Sequence, residues 1–227
     1  MKFIIDTGNV EIIKQLLEWL PADGISINPS LTAKEGKEFF TLVQELLDIS
    51  SGEVYAQVIA EDVDGIVKEA KEIHAINPER VIVKIPATVE GFAAMKKLQD
   101  TGIRICTTAV FNITQAVTAA KLGAYVIAPY VSRVERAGGS GIALVGQIQN
   151  MLDTYGFTTQ LIAASIKTSI QLAEIIDLGT DGVSVAPELY PEAIKHHLTD
   201  RAMELFAADW QNQYQEMSIH SALKGKE

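Results

Sequence analysis

A chain of 227 residues with 48% hydrophobic and 21% charged side chains is long enough for one large core and has an ordinary globular composition. No stretch approaches the roughly 18 consecutive apolar residues of a membrane span, and a formal charge of −10 with no basic cluster interleaved with aromatics argues against nucleic acid as a partner. A single cysteine, Cys106, rules out an intramolecular disulfide and a thiolate zinc cluster, and the histidines His74, His196, His197 and His220 lack the spacing of a metal site.

The chain enters a strand pattern at once, over residues 3–6, with no basic and apolar leader before it, so a cytoplasmic protein is expected. Helical periodicity follows over 11–20, then a strand over 24–28 and a helix over 39–48. The alternation continues with strands over 54–59, 80–85, 103–108, 125–130, 160–165 and 182–185. The helices between and after them span 63–76, 91–99, 112–122, 142–155, 169–178 and 190–213. Gly102, Gly123, Gly156 and Gly179 each stand between a helix and the next strand, where a helix stop is needed. Eight βα units with no linker predict a single-domain α/β fold over residues 1–227, a (β/α)8 TIM barrel with a C-terminal helix. An open doubly wound sheet is disfavoured because the first strand runs into Ile5-Asp6-Thr7-Gly8-Asn9, not into a glycine-rich dinucleotide turn.

Barrel enzymes place their chemistry at the carboxyl ends of the strands, so the residues there are the candidates. The first strand delivers Asp6 and the second Asn28. Tyr55, Gln57 and Ile59 share a face of the third, Lys84 ends the fourth, and Thr108, Tyr130 and Ser165 end the fifth, sixth and seventh. Lys84, flanked by Val83, Ile85 and Pro86, is read either as a snorkelling strand-tip cation or as an amine that an apolar setting makes nucleophilic. Such an amine adds to a carbonyl to give an iminium ion, an electron sink that lets the neighbouring carbon–carbon bond break. Asp6, Gln57, Thr108 and Tyr130 have the chemistry to move the protons this requires. Each also has a structural reading: Asp6 as a helix cap, Asn28-Pro29-Ser30 as a helix start, Tyr130 as a packed aromatic. Cys106 is read as a small core residue. Arg133 and Lys167, with Gly138-Gly139-Ser140-Gly141 leading into a helix, form a candidate anion site; the glycine run is equally read as a lid.

Taken in order, these residues resemble the small transaldolase-like family of class I aldolases, its bacterial fructose-6-phosphate aldolase branch in particular. The resemblance rests on Ile5-Asp6-Thr7, Asn28-Pro29-Ser30, Ala56-Gln57-Val58, Val83-Lys84-Ile85-Pro86, Thr108-Ala109-Val110, Ala128-Pro129-Tyr130-Val131, the glycine run, Ala163-Ala164-Ser165, Lys167-Thr168 and Asp209-Trp210. It implies that Lys84 is the Schiff-base lysine and that Asp6 assists cleavage. Gln57, Thr108 and Tyr130 would hold a catalytic water, Asn28 and Ser165 the dihydroxyacetone hydroxyls, and Arg133 with Lys167 the acceptor phosphate. No cofactor is implied.

The resemblance favours a lyase that cleaves fructose 6-phosphate to dihydroxyacetone and glyceraldehyde 3-phosphate, because transaldolases of this kind carry glutamate in place of Gln57 and phenylalanine in place of Tyr130. Transfer of a dihydroxyacetone unit between sugar phosphates is the alternative, and a sugar-phosphate-binding barrel without catalysis is the third. Ser26-Ile27, Ser132 and Val185-Ala186-Pro187 depart from the family pattern. The family also forms homo-oligomers, pentamers or decamers, and Phe206, Trp210 and Tyr214 recur at four-residue spacing as a contact with a neighbouring subunit would require.

Overall fold

The computed structural model describes residues 1–215 and 218–220. Its strands are β1 (Lys2–Asp6), β2 (Gly24–Ser26), β3 (Glu53–Gln57), β4 (Val81–Pro86), β5 (Ile105–Val110), β6 (Val126–Pro129), β7 (Gln160–Ile166) and β8 (Gly182–Val185). They are all parallel, each pairs with the next, and β8 returns to β1 to close the barrel. The helices are α1 (Val10–Leu17), α2 (Pro29–Glu35), α3 (Phe39–Ile49), α4 (Val63–Ile76), α5 (Val89–Leu98), α6 (Ile113–Lys121), α7 (Val131–Arg136), α8 (Gly141–Tyr155), α9 (Ser169–Asp177), α10 (Leu189–Ile194) and α11 (His197–Tyr214). The barrel fold expected from the βα alternation is the one observed. Met1–Tyr190 form one compact unit and the residues from Pro191 a second, whose described part is mainly α11.

Period-two alternation divides each strand between two cores. Val81, Val83 and Ile85 of β4 join the large cluster under the helices, whereas Ile82 joins Ile4, Tyr55, Cys106, Val126 and Ile162 inside the barrel. Lys84 is two residues beyond Ile82 and therefore shares its inward direction. Most βα turns end on a side chain that caps the next helix: Asn9, Asn28, Asp62, Thr88, Asn112 and Thr168 each accept from a backbone N–H in the first turn. The four glycines expected to stop helices all adopt left-handed backbone, with φ between 65° and 79°.

Two short helices escaped the periodicity. Helix α2 is started by the Asn28 cap with Pro29 at its first position, and Gly36 at φ 62° ends it. Helix α7 has six residues, too few to show a pattern. The pattern over 190–213 is two helices, not one, because His196 is extended and its Nδ1 accepts from the Leu198 N–H at 3.2 Å, starting a new helix.

Glu53 joins four side chains on the inner and amino-terminal part of the barrel. Lys2 donates to it at 2.8 Å, Arg104 at 3.0 Å, and the phenols of Tyr55 and Tyr125 at 2.7 and 2.9 Å. Burial pushes the Glu53 carboxyl up, but the bonds from Lys2, Tyr55 and Tyr125 and the Lys2 charge outweigh it and hold the group below its usual 4.5. A carboxyl depressed on folding stabilises the fold above its unfolded value and loses that contribution as pH falls through the folded value. Glu53→Gln is therefore expected to cost stability at neutral pH, with the gap to wild type closing below about pH 4.5. Urea midpoints at about pH 7 and about pH 3 check this; a gap that stays constant or widens in acid would refute it.

Candidate active site

The carboxyl ends of the strands enclose a cavity of about 310 Å³, the size of a small-metabolite site. Asp6, Asn28, Lys84, Thr108, Tyr130, Arg133, Ser165 and Lys167 all line it. Lys84 is 5% exposed, and its Nζ donates to Ser26 Oγ at 2.9 Å and to the Ile27 carbonyl at 3.0 Å. The snorkelling reading fails for this reason: the amine is turned into the barrel and held by two neutral acceptors. Among the described residues Lys84 makes no ion pair, so its charge has no carboxylate fixed against it.

Asp6 ends β1 opposite Ser26 in the strand register. It does not cap α1; Asn9 does, accepting from the Ile12 N–H at 3.0 Å, which leaves the Asp6 carboxylate available to the cavity. Asn28 caps α2 and also lines the cavity. Its Oδ1 accepts from the Leu31 N–H at 3.1 Å while the residue lines the cavity, so its amide N–H groups remain to donate.

Across the cavity the Tyr130 phenol and Thr108 Oγ1 are hydrogen-bonded at 3.0 Å. The Tyr130 ring meets Phe111 edge-on, with centroids 5.6 Å apart, and the Arg133 guanidinium lies 4.8 Å from its centre. Cys106 is a buried free thiol beside Lys84 in the register, pushed up to about 12 by burial against the opposing pull of the Lys84 charge. It is a protonated wall residue at neutral pH, in keeping with the core reading.

Two strands break register at the cavity. In β5 the pairing shifts between Thr107 and Val110, and Ala109 sits at φ 53°. In β7 it shifts between Ala163 and Ile166, and Ser165 sits at φ 58°. The β7 bulge lets the consecutive residues Ala164 and Ser165 both face the cavity before Ile166 rejoins the outer core. Left-handed backbone at non-glycine residues costs about 1–2 kcal/mol, a strain that collects at functional sites. Ala109→Gly is expected to stabilise the protein by up to about 1 kcal/mol, read as a higher urea midpoint, and an unchanged or lower midpoint would contradict the strain.

Gln57 is the expected site residue that the structure does not bring to this cavity. It pairs with Lys84 in the register but borders a separate surface depression with Phe40 and Ile59. Ile59, expected on the same face, lies beyond the end of β3 and is 71% exposed. The glycine run does not line the cavity either. Ser140 caps α8, and Gly141 packs so closely on the start of α7 that a Cβ would lie 2.4 Å from the Val131 carbonyl oxygen. The run forms the turn between α7 and α8, exposed over Gly138–Ser140 and closely packed at Gly141.

Sequence reasoning passed over Ser26, Ser184 and Arg136 as site residues, all of which line the cavity. Strand alternation could have found the two serines: Ser26 is at the end of β2, and Ser184 is two residues from that end of the alternation in β8 which Gly182 begins. Among the described residues no cluster of His, Cys, Asp and Glu is arranged to hold a metal ion, and no helix is long and apolar enough to cross a membrane.

The transaldolase/fructose-6-phosphate aldolase family model matches residues 3–225. A protein named "probable transaldolase" from Coprothermobacter proteolyticus is 42% identical over 92% of this chain and 96% of its own length. One with the same name from Methanococcus vannielii is 40% identical over 92% and 97%. Among solved structures, inosine 5'-monophosphate dehydrogenase from Legionella pneumophila superposes with a TM-score of 0.59 at 14% identity, over 83% of this chain and 58% of that one, a likeness of fold alone. With a family match over nearly its whole length and relatives of this similarity, the chain belongs to the transaldolase/fructose-6-phosphate aldolase family.

Proposed function

We propose that the protein is a class I, Schiff-base enzyme that transfers a dihydroxyacetone unit between sugar phosphates. The observation that carries this reading is Lys84, an inward, buried amine held by Ser26 and Ile27 at a cavity that also contains Asp6. The Lys84 nitrogen adds to the ketose carbonyl and, with loss of water, forms an iminium ion. Asp6 takes the proton of the β-hydroxyl; the adjacent carbon–carbon bond breaks, its electron pair passes to the nitrogen, and an aldose phosphate leaves while an enamine stays on Lys84. Asn28 and Ser165 hold the hydroxyls of the retained three-carbon unit, and Arg133 with Lys167 holds the phosphate of the aldehyde. The iminium is itself the electron sink, so the reaction requires no cofactor.

The names of the relatives shift the weight from release to transfer. The lyase reading, in which the enamine is protonated and hydrolysed to free dihydroxyacetone, keeps one specific observation in its favour: the Tyr130–Thr108 pair, a phenol poised over the cavity. Gln57, the third member of that shell, supports it less, since it lies outside the cavity. Fructose 6-phosphate with and without erythrose 4-phosphate decides between them. Turnover that depends on the acceptor supports transfer, acceptor-free dihydroxyacetone supports the lyase, and neither product would reject both.

A cytoplasmic homo-oligomer, a pentamer or a decamer, completes the proposal. Helix α11 has no buried residue, and it exposes Phe206 and Tyr214 at 65% and 47% along with the partly exposed Trp210. These residues support packing of residues 201–215 on a neighbouring copy, which light scattering would read as mass.

A further inference from the structure

The cavity is electropositive in a chain of net charge −10: Lys84, Arg133, Arg136 and Lys167 line it against one carboxylate, Asp6. Arg133 and Arg136 stand three residues apart on α7 and so project from the same side of the helix. Lys167 reaches the cavity from the loop after β7. None of these three is in an ion pair among the described residues, although Glu135 lies between the two arginines in sequence.

Glu135 is bonded to Gln171 instead. Gln171 Nε2 donates to the Glu135 carboxylate. Gln171 Oε1 accepts from Ser132 Oγ at 3.1 Å and from the N–H groups of Lys167 and Thr168 at 2.8 and 3.3 Å. One amide thus ties Ser132 and Glu135, the neighbours of the two arginines, to the backbone that carries Lys167. It ties α7 to the loop after β7 and engages the Glu135 carboxylate. A side chain that both donates and accepts is needed here, which suits glutamine and neither glutamate nor methionine.

We propose that Arg136 is a third ligand for the phosphate of the acceptor aldehyde and sets the preference for phosphorylated acceptors, with Gln171 the positioning residue that holds it beside Arg133 and Lys167. The proposal rests on the reading of Lys84 as the Schiff-base lysine. A guanidinium offers a dianionic phosphate paired donors that an unphosphorylated aldehyde cannot use, so its loss falls on one class of acceptor.

The test compares glyceraldehyde 3-phosphate with glyceraldehyde as acceptors in the purified full-length protein, with inorganic phosphate as a competing anion. Arg136→Ala is expected to lower the ratio of the two kcat/KM values by about tenfold or more, through KM for the phosphorylated acceptor, and to weaken inhibition by phosphate to a similar degree. Arg136→Lys recovers part of the ratio. Gln171→Glu sets a second carboxylate against Glu135 and lowers the ratio in the same direction, whereas a merely structural role would depress both acceptors alike. An unchanged ratio with unchanged phosphate inhibition in Arg136→Ala overturns the proposal. Borohydride trapping of dihydroxyacetone on the wild type separates the two levels. If Lys84 is labelled and the ratio is unmoved, only the role of Arg136 fails; if Lys84 is not labelled, the Schiff-base reading fails and this inference with it.

Discussion

Lys84→Met is expected to abolish the covalent adduct formed with fructose 6-phosphate or dihydroxyacetone and borohydride, and to lower turnover by at least about 10⁴-fold, the scale on which loss of a nucleophile acts. Methionine keeps the length and most of the volume of lysine while removing the amine, so the change is chemical before it is structural. The Ile27 carbonyl and Ser26 Oγ lose their donor, a cost of about 1–3 kcal/mol for a buried acceptor left unpaired. Relief of burying an ammonium group with no ion-pair partner offsets part of that cost. The variant should therefore fold, with a thermal midpoint within several degrees of wild type, and remain inert. An adduct of unchanged mass on Lys84→Met, or a peptide map placing the label on another lysine, would remove Lys84 from the mechanism.

The barrel was legible because its signal is local and repeated. Short strands alternate with longer helices that carry their own periodicity, and a glycine or a capping side chain marks most of the turns between them. Lys84 was legible for the same reason: alternation from Ile82 places it inward without knowledge of any other strand. The pairing of Lys84 with Ser26 was not, because it spans 58 residues and reaches across β3, a contact that depends on how three strands are arranged together. Ser165 marks another limit. Alternation alone aims either Ala164 or Ser165 inward, and only the bulge at φ 58° presents both. Gln57 shows the converse: a residue of the right type at the end of the right strand, in register with Lys84, borders the depression shared with Phe40 and not the cavity. Arg136 stayed hidden because a six-residue helix carries no periodicity that would reveal which way its arginines point.

Tyr130→Phe is expected to shift the enzyme toward transfer, raising the ratio of acceptor-dependent transfer to free dihydroxyacetone release by about tenfold or more. Formation and hydrolysis of the Schiff base are common to both reactions, and so is carbon–carbon cleavage. They divide at the enamine, which either attacks an acceptor aldehyde or takes a proton at carbon. A phenol fixed at 3.0 Å from Thr108 at the cavity is a proton donor for the second route; general acids of this kind contribute about 10²–10⁴-fold. The substitution leaves the ring, and with it the edge contact to Phe111 and the Arg133 stacking, so the anion-binding side of the cavity should keep its shape. Thr108 is fully buried, and its hydroxyl loses its partner at a cost of about 1 kcal/mol. Thr108→Val, which removes the other half of the bond at constant shape, should move the ratio in the same direction, and the double variant should fall short of the product of the two single effects. Equal losses of transfer and release in Tyr130→Phe would mean that the phenol serves a step common to both, and the lyase reading would lose the observation that supports it.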